Sequence, residues 1–457
     1  MHIQVSPDGH YFQQHDGTPF FYLGDTAWML FNKLTEDQAR ALFADRAAKG
    51  FTVIQAVVFR DLFEPNTPNA AGVRPFASDA DMRAVRINPA WLEYVVRITR
   101  VAGEYGLVMG LLPTWGDKWN EHSNSAGPVI MDQTSGRAWC HRLSDALGDC
   151  ENVIWILGGD SPIQTQAHAD TLRAMAEGLR AGASGDRLIS FHPPGRGSSA
   201  IFHAEPWLDF NALQTSHGRP DMTNYIDIER LSRTDPPKPC LEMECAYEMM
   251  PIGIGWQDHL DPDQRGKFTD YDVRRNYYRT VLAGAAGFTY GCEAIRQVYR
   301  QGDRPHAWDG RGLVTWREGL AAPGSSQLAL LKQVLLERSY FTRIAAQELL
   351  LPIRDAGAWA DHVTIGIPAA TQQNIDPVAH IRIARCRAGR YIIAYIPIRQ
   401  PINLDTSVID AARLRLSVYD PRTGERITDR TLENAGRLNY VPRLELDTLV
   451  VIDALAS

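Results

Sequence analysis

Short apolar runs alternate with amphipathic segments over residues 1–345 of the chain. The apolar runs predict strands over residues 20–23, 51–59, 107–113, 153–157, 188–191, 210–213, 240–243 and 287–289. The segments between them carry apolar residues at helical spacing and predict helices over residues 35–49, 89–105, 136–147, 163–180, 225–231, 272–282 and 327–336. Eight strand–helix units of this kind predict an α/β fold, a (β/α)8 TIM barrel.

The alternative to a barrel is a doubly wound open sheet. Such a sheet that binds a nucleotide carries a glycine-rich phosphate-binding turn after its first strand, and no such motif follows residues 20–23. The run at 153–157 is rich in β-branched and aromatic residues and ends at two glycines, as parallel strands buried on both faces do. The pattern therefore favours the barrel.

The pattern changes near residue 345, where alternation at period two replaces the strand–helix rhythm. Short alternating runs at 362–367, 380–384, 391–396, 414–418 and 449–452 are separated by turns such as Asp420-Pro-Arg-Thr-Gly424. This spacing predicts an all-β sandwich. We therefore expect a catalytic barrel over residues 1–345, with a short β-hairpin at residues 1–19, and a C-terminal β-sandwich over residues 346–457.

Composition and charge narrow the class of protein. The 457 residues are 44% apolar and 22% charged, which allows a sizeable core, and the net charge is −7. Without a run of Lys or Arg, neither a nucleic acid nor an anionic membrane is an expected partner. The six cysteines show no zinc-type spacing and predict buried free thiols, so neither a metal nor another cofactor is expected. The first residues lack the features of a signal peptide, which predicts a cytoplasmic protein, or a periplasmic or secreted one if a leader has been removed.

Candidate chemistry lies at the ends of the predicted strands, where barrel enzymes carry their active sites. Asp160 follows strand four directly after Gly158 and Gly159, and the alternative role for it is to cap the next helix. The other strands are followed by acids, amides, imidazoles and aromatic rings that suit a sugar, namely Asp25, Trp28, Gln55, Trp115, Asp117, His192, Gln214, His217, Glu244, Tyr247, Glu248, Tyr290 and Glu293. The two tryptophans could instead be core residues, the two histidines structural, and Asp25 a turn residue.

Two of these carboxylates form the pair that glycoside cleavage requires. Asp160 follows strand four and Glu244 ends strand seven, so their side chains could approach one bond from opposite sides. Glu242 points to the same face as Glu244 because side chains alternate at period two, but Glu244 lies nearer the rim. Glu244 is therefore favoured, with Glu242 and Glu248 as alternatives.

A series of short motifs, in order along almost the whole chain, resembles the apiosidase-like glycoside hydrolases (glycoside hydrolase family 140). The motifs are Leu23-Gly-Asp-Thr-Ala-Trp28, Lys49-Gly-Phe51, Pro113-Thr-Trp-Gly116, Trp155-Ile-Leu-Gly-Gly-Asp160, Trp207-Leu-Asp-Phe210, Gln214-Thr-Ser-His-Gly218, Lys238-Pro239, Glu244, Tyr247-Glu248 and Thr289-Tyr-Gly291. Tyr419-Asp-Pro-Arg-Thr-Gly424 and Leu449-Val-Val-Ile-Asp453 resemble the sandwich that follows the barrel in that family, which is often given a collagen-binding label.

The resemblance implies a retaining, metal-free glycosidase with an aspartate as acid/base and a glutamate as nucleophile. These roles map onto Asp160 and Glu244. Two departures from the family pattern concern the site. Met243 and Cys245 replace a glycine and a proline around Glu244, and Cys292-Glu293 follows strand eight where a histidine is usual.

The sequence thus predicts an exo-acting, retaining glycoside hydrolase that removes a terminal sugar, with apiose as the candidate, from a plant-derived oligosaccharide or glycoside. The predicted substrate-binding residues are Asp25, Trp28, Gln55, Trp115, His192, Gln214, His217, Tyr247, Glu248 and Tyr290. The alternative is a non-catalytic carbohydrate-binding or adhesion protein on a barrel scaffold, in which binding would survive loss of both carboxylates. The sequence does not predict the oligomeric state.

Overall fold

The computed structural model describes residues 1–60, 66–123, 127–218, 223–253, 262–306, 308–352 and 378–455. The chain divides into two compact units, one of residues 1–220, 231–273 and 286–326 and the other of residues 221–230, 274–285 and 327–457. A domain boundary at residue 345 stays a prediction. Within the described residues, no helix is both long enough and apolar enough to cross a membrane.

Eight parallel strands form the barrel of the first unit, which confirms the predicted fold class. In chain order they are Tyr22–Thr26, Val53–Val57, Val108–Leu112, Val153–Gly158, Ile189–His192, Asn211–Gln214, Cys240–Glu244 and Gly287–Tyr290. Strands five, four, three, two, one, eight, seven and six are hydrogen-bonded neighbours in that order. All eight are buried along their whole length, as the continuous apolar runs predict.

The barrel closes between strands five and six without a backbone ladder among the described residues. Asp209, just before strand six, bridges the gap: its N–H donates to the carbonyl of Ile189 (2.9 Å) and its carboxylate accepts from the N–H of Ile189 (2.6 Å). The hydroxyl of Ser190 donates to the carbonyl of Phe210 (2.8 Å), and Arg180 holds the Asp209 carboxylate at 2.5 Å. Side-chain hydrogen bonds and a backbone hydrogen bond from Asp209 therefore replace a ladder at this seam.

Several helices begin at side-chain caps. Thr35 and Gln38 form a reciprocal capping box, and Asn88 caps a helix that starts at Pro89. Thr165 caps the helix after strand four, so the alternative role of Asp160 as its cap is wrong. The α-helices are Leu30–Lys33, Glu36–Ala48, Asp79–Arg83, Pro89–Glu104, Gln133–Ala146, Gln166–Ala181, Asn224–Leu231, Pro262–Arg265, Asp270–Leu282, Glu293–Arg296, Trp316–Gly319, Gly324–Gln327 and Ala329–Leu336.

Three minor features complete the first unit. The predicted N-terminal hairpin has a third strand, giving an antiparallel sheet of Ile3–Val5, Phe12–Gln14 and Pro19–Phe20. A two-residue strand, Gly197–Ser198, pairs antiparallel with strand six. Short 3₁₀ helices span Gly116–Lys118 and Ser199–Phe202, and two more, Tyr340–Thr342 and Gln347–Leu349, lie in the second unit.

The second unit contains the C-terminal β-sandwich that the alternation predicts. Its larger sheet is antiparallel, with strands in the order Arg343–Ala345, Arg382–Cys386, Tyr391–Ile396, Thr448–Leu455, Arg413–Tyr419 and Arg426–Glu433. Ile402–Asp405 and Arg437–Tyr440 form a second, two-stranded sheet. The core holds side chains of both sheets, among them Ile392, Leu404, Leu416 and Ile452. The strand predicted at 362–367 lies outside the described residues.

A buried ion pair lies inside the second unit. The guanidinium of Arg274 donates from Nε and Nη2 to the two carboxylate oxygens of Asp447 (2.7 and 2.9 Å), and neither side chain is accessible to solvent. The hydroxyl of Tyr395 donates a third hydrogen bond to the same carboxylate (3.0 Å). The six cysteines, all within the described residues, are buried and free, as predicted.

Candidate active site

The turn after strand four has a backbone that only glycine accommodates. Gly158, Gly159 and Asp160 have φ values of +94°, +99° and +53°. A Cβ on Gly158 would lie 2.4 Å from the carbonyl oxygen of His192, and one on Gly159 would lie 2.8 Å from the backbone nitrogen of Gly116. The left-handed conformation of Asp160 costs about 1–3 kcal/mol, a strain that is common at functional sites. The turn therefore delivers the Asp160 carboxyl to the end of the barrel.

His192, the last residue of strand five, contacts both carboxylate residues. Its Nδ1 accepts a hydrogen bond from the backbone N–H of Asp160 (3.3 Å), and its Nε2 lies 3.0 Å from Oε2 of Glu244. Because Nδ1 is an acceptor, the ring proton of the neutral imidazole belongs on Nε2, facing the carboxylate. Neither atom has a hydrogen-bond partner among the described residues, so this contact is electrostatic.

Glu244, at the end of strand seven, has a second histidine contact, with His217. His217, which follows strand six, donates from Nε2 to Oε1 of Glu244 (3.1 Å). Its ring packs on that of Tyr247, with centroids 4.3 Å apart. The indole N–H of Trp28 donates to the Tyr247 hydroxyl (2.9 Å), and that hydroxyl also hydrogen-bonds to Glu244. Elements after strands one, five, six and seven thus converge on one carboxylate.

The two carboxyl groups differ in their electrostatic surroundings. Burial, and then the negative charge of Glu244, raise the pKa of Asp160 to about 6. Burial also acts to raise the pKa of Glu244, but the contacts of its carboxylate with His192 and His217 outweigh it and lower that pKa well below the ordinary value. The site therefore favours a protonated Asp160 beside an ionised Glu244.

An aromatic wall with a buried cation adjoins the carboxylates. The rings of Trp28, Trp115 and His192 contact one another, with centroids 5.3–5.6 Å apart. The guanidinium carbon of Arg60 lies 3.8 Å from the centroid of Trp115, a cation–π contact. Burial, and then the charge of Arg296, lower the pKa of Arg60 to about 10, so it remains a cation at neutral pH.

Three groups at this site are not among the residues predicted from the sequence. Arg60 follows strand two, and its place after a strand end was a signal that could have identified it. Arg296 lies in the segment after strand eight. The backbone N–H of Gly195 donates to Oδ1 of Asp160 (3.0 Å), and nothing in a glycine residue signals that role.

Four predicted substrate contacts lie in buried networks, and a direct contact of these residues with a sugar stays a prediction. Asp25 is fully buried and forms an ion pair with Arg46 (2.6 Å), and the Gln55 amide donates to Tyr22 and Thr289 (3.0 and 2.9 Å). Tyr290 donates to Glu248 (2.6 Å), which also accepts from the N–H of Gly324 (3.2 Å). Their side chains are oriented towards the protein interior, because these strand ends are covered by the helices and segments that follow.

Two further predicted residues, Gln214 and Glu242, lie on the strands that lead to the candidate site. Gln214 is buried, and its Oε1 has no hydrogen-bond partner among the described residues, which leaves it as a candidate sugar contact. Glu242 is fully buried and accepts from the N–H and hydroxyl of Thr215 (both 3.1 Å). In the described part of the chain, no group of three or more His, Cys, Asp or Glu residues could hold a metal ion.

Two family models match the chain. Residues 6–342 match the family described as "Apiosidase-like, catalytic domain", and residues 370–452 match "Putative collagen-binding domain of a collagenase". The comparison with curated proteins found no match.

Solved structures show the same architecture. One described as "Glycoside hydrolase" is 25% identical, with a TM-score of 0.83 over 100% of this chain and 97% of that chain. A glycoside hydrolase family 5 structure from Bacteroides vulgatus is 24% identical, with a TM-score of 0.82 over 99% and 94% of the two chains, and supports the fold. Because the catalytic-domain model spans most of the sequence, the chain belongs to the apiosidase-like family and is a glycoside hydrolase that acts on a carbohydrate.

Proposed function

We propose that the chain is an exo-acting, retaining glycoside hydrolase in which Asp160 is the acid/base and Glu244 the nucleophile. It removes a terminal sugar from a plant-derived oligosaccharide or glycoside. The choice of apiose as that sugar rests on the family alone. Glu244 and the residues around it are almost entirely buried, which suits a pocket for one terminal sugar better than an open cleft for a polymer.

One observation carries the proposal: the surroundings push the pKa values of the two carboxyl groups in opposite directions. The pKa of Asp160 is raised to about 6, and that of Glu244 is lowered by His192 and His217. Catalytic pairs that need one acid and one carboxylate at the same pH are built in this way. A non-catalytic sugar-binding site has no need of such a difference, so the binding-protein alternative lacks support from the site.

The first step transfers one proton and exchanges one bond. Asp160 donates its proton to the glycosidic oxygen while Glu244 attacks the anomeric carbon, so the leaving group departs as an alcohol and a glycosyl ester forms on Glu244. In the second step, Asp160 takes a proton from water, and the water oxygen attacks the same carbon. Glu244 leaves as a carboxylate, Asp160 regains its proton, and the sugar keeps its anomeric configuration.

His192 and His217 stabilise the Glu244 carboxylate in both steps. The N–H groups of His192 and His217 hold the charge on Glu244 before the attack and again when it leaves the sugar. The carbonyl oxygen of Gln214, which has no partner among the described residues, would accept a hydrogen bond from the sugar. The rings of Trp28, Trp115 and Tyr247 would pack against the sugar. Glu248 is bound to Tyr290 and Gly324, which favours Glu244 over it as the nucleophile.

A panel of 4-nitrophenyl glycosides that includes an apioside tests the proposal, with NMR of the first-formed anomer. Retention of configuration is expected, and a first product of inverted configuration would contradict the mechanism. Asp160→Asn and Glu244→Gln should each reduce turnover of an unactivated glycoside by at least 1,000-fold, on the order of the contribution of such groups.

Azide separates the roles of the carboxylates. In Asp160→Ala, azide should accelerate release of the sugar as a glycosyl azide of retained configuration, because the covalent intermediate still forms. In Glu244→Gly, azide should replace the nucleophile and give the azide of inverted configuration. Glu248→Gly is the matched control: if azide rescue with inversion occurred at position 248 and not at 244, the nucleophile assignment would be wrong.

A further inference from the structure

The segment after strand eight carries an acid at Glu293, where the family pattern usually has a histidine. Glu293 starts the short helix Glu293–Arg296 and pairs with Arg296 through two parallel hydrogen bonds, Nε to Oε2 (2.5 Å) and Nη2 to Oε1 (2.7 Å). It also accepts from the amide of Gln297 (2.6 Å) and the indole N–H of Trp308 (2.9 Å). Both members of the pair are buried, so the position of the Arg296 guanidinium is determined on that side.

The guanidinium of Arg296 lies against the group that binds the candidate nucleophile. Its carbon is 5.8 Å from the ring centroid of Tyr247, the residue whose hydroxyl hydrogen-bonds to Glu244. Its Nη1 donates to Nδ1 of His306 (3.2 Å). The charges of Arg296 and Glu244 attract each other, and this attraction is among the effects that raise the pKa of Arg296 above its ordinary value. A continuous set of contacts thus leads from Glu293 through Arg296 and Tyr247 to Glu244.

A buried ion pair is a poor way to stabilise a fold. Removing two charges from water costs about as much as their attraction returns, and apolar residues of the same volume often serve as well. Here the pair lies beside the candidate catalytic carboxylate, and its cation faces Tyr247 and Arg60. A role in the reaction explains the location of the pair, whereas a purely structural role does not.

The other ionisable groups around Arg296 are His306, Arg60 and Glu293. Burial, and then the charges of Arg296, Arg60 and Lys33, lower the pKa of His306 to about 2, so His306 is neutral. Arg60 is close enough to Arg296 for the two charges to interact, and its guanidinium is covered by Trp115. Glu293 compensates the charge of Arg296, and its two hydrogen bonds orient the Arg296 guanidinium.

We propose that Glu293 and Arg296 are positioning residues that act through Tyr247 to hold Glu244 ionised and correctly oriented. This inference rests on the proposed function, in which Glu244 is the nucleophile. It assigns a function to the acid that replaces the usual histidine after strand eight.

The test is the acidic limb of kcat/KM against pH, with the 4-nitrophenyl glycoside that the wild type cleaves. Arg296→Met should shift that limb upward by about one pH unit and lower kcat/KM about 10-fold or more at the optimum, because the ionised Glu244 loses a nearby cation. Arg296→Lys keeps the charge and should leave the limb within about 0.3 of the wild-type value, even with a lower kcat. Glu293→Gln leaves the cation uncompensated and should not shift the limb upward.

Controls separate the possible failures. Arg300→Gln removes an arginine of the same segment that bonds to Gln38, and it should leave the profile unchanged. If Arg296→Met lost activity with an unmoved acidic limb, the role would be structural and the inference would be overturned. If Arg296→Met did not fold, a limb shifted upward in Arg296→Lys would overturn it as well, and an unmoved limb would support it. Wild-type turnover in Glu244→Gln would instead overturn the proposed function.

Discussion

The imidazole Nε2 of His192 lies 3.0 Å from Oε2 of Glu244, while Nδ1 of the same ring accepts the backbone N–H of Asp160 at 3.3 Å. One ring therefore links the turn that carries the candidate acid to the candidate nucleophile. The His192→Phe substitution keeps the ring shape and removes both nitrogens. We expect it to raise the pKa of Glu244 and shift the acidic limb of kcat/KM upward by about one pH unit, because the carboxylate loses the larger of its favourable contacts.

His168→Phe is the control for that experiment. His168 lies in the helix after strand four and contacts Glu121, away from the two carboxylates. Its substitution should leave both limbs of the profile in place. An unmoved acidic limb in His192→Phe would show that the 3.0 Å contact carries no energy.

The wild-type enzyme should work best under acidic conditions. Turnover requires protonated Asp160, whose pKa is raised to about 6, so kcat/KM should fall as the pH rises through about 6. It also requires ionised Glu244, whose pKa lies below the ordinary value of 4.5, so the acidic limb of kcat/KM should lie below pH 4.5. Measuring kcat/KM between pH 3 and 9 tests both limbs, and an optimum near pH 8 would contradict the assignment.

The Asp160 carboxyl should also reduce stability as the pH rises. A folded-state pKa of about 6 against the ordinary 3.8 means that the native state binds this proton more tightly than the unfolded state. The stability that this provides is present below about pH 4 and is lost between about pH 4 and 6, at a cost of about 2–3 kcal/mol. Asp160→Asn should therefore raise the unfolding temperature more at pH 8 than at pH 4. An equal shift at both pH values would argue against the raised pKa.

Gly158 should not tolerate even a methyl group. In Gly158→Ala, the new Cβ would lie 2.4 Å from the carbonyl oxygen of His192 at a φ of +94°, so strand five or the turn must shift. We expect a loss of about 2–4 kcal/mol in unfolding free energy and a fall in kcat of at least 10-fold. Gly17→Ala is the control, because its φ is similar at +84° but nothing lies within 4 Å of the added Cβ. Equal effects in the two variants would contradict this explanation.

In the second unit, the Arg274–Asp447 pair should be costly to break. Asp447→Asn removes the carboxylate and leaves a buried guanidinium with a poor partner. We expect a loss of about 3–5 kcal/mol in unfolding free energy, measured by urea denaturation. Asp429→Asn, at an exposed pair with Arg415, should cost much less, because water already screens that pair. A similar loss in both variants would show that burial does not determine the cost.

Much of the fold followed from apolar runs that are unambiguous in the sequence. All eight barrel strands are continuous and buried, so their periodicity was visible, whereas strand Arg426–Glu433 was missed because its side chains are mostly polar and solvent-facing. The strands at Ile402–Asp405 and Arg437–Tyr440 are only four residues long, which is too short for period-two alternation to stand out.

The site was less predictable because position after a strand does not determine direction. Asp160 and Glu244 lie where the strand order placed them, but Asp25 is oriented towards Arg46, a residue of the following helix. Arg60 and Arg296 join the site through contacts with Trp115 and Tyr247, which follow the neighbouring strands. Such contacts depend on side-chain orientation in three dimensions, which a one-dimensional pattern does not contain.

The seam between strands five and six makes the barrel unequal around its circumference. At the seven other junctions between barrel strands, backbone hydrogen bonds of a parallel ladder hold the two strands together. If one of these bonds is lost, the others still hold the strands in register. At the seam, the carboxylate of Asp209 connects Arg180 with the start of strand five, and a carboxylate can be protonated or mutated, unlike a peptide group. His192 is the last residue of strand five, so the position of the candidate site depends in part on a seam held by the Asp209 and Ser190 side chains and one backbone hydrogen bond.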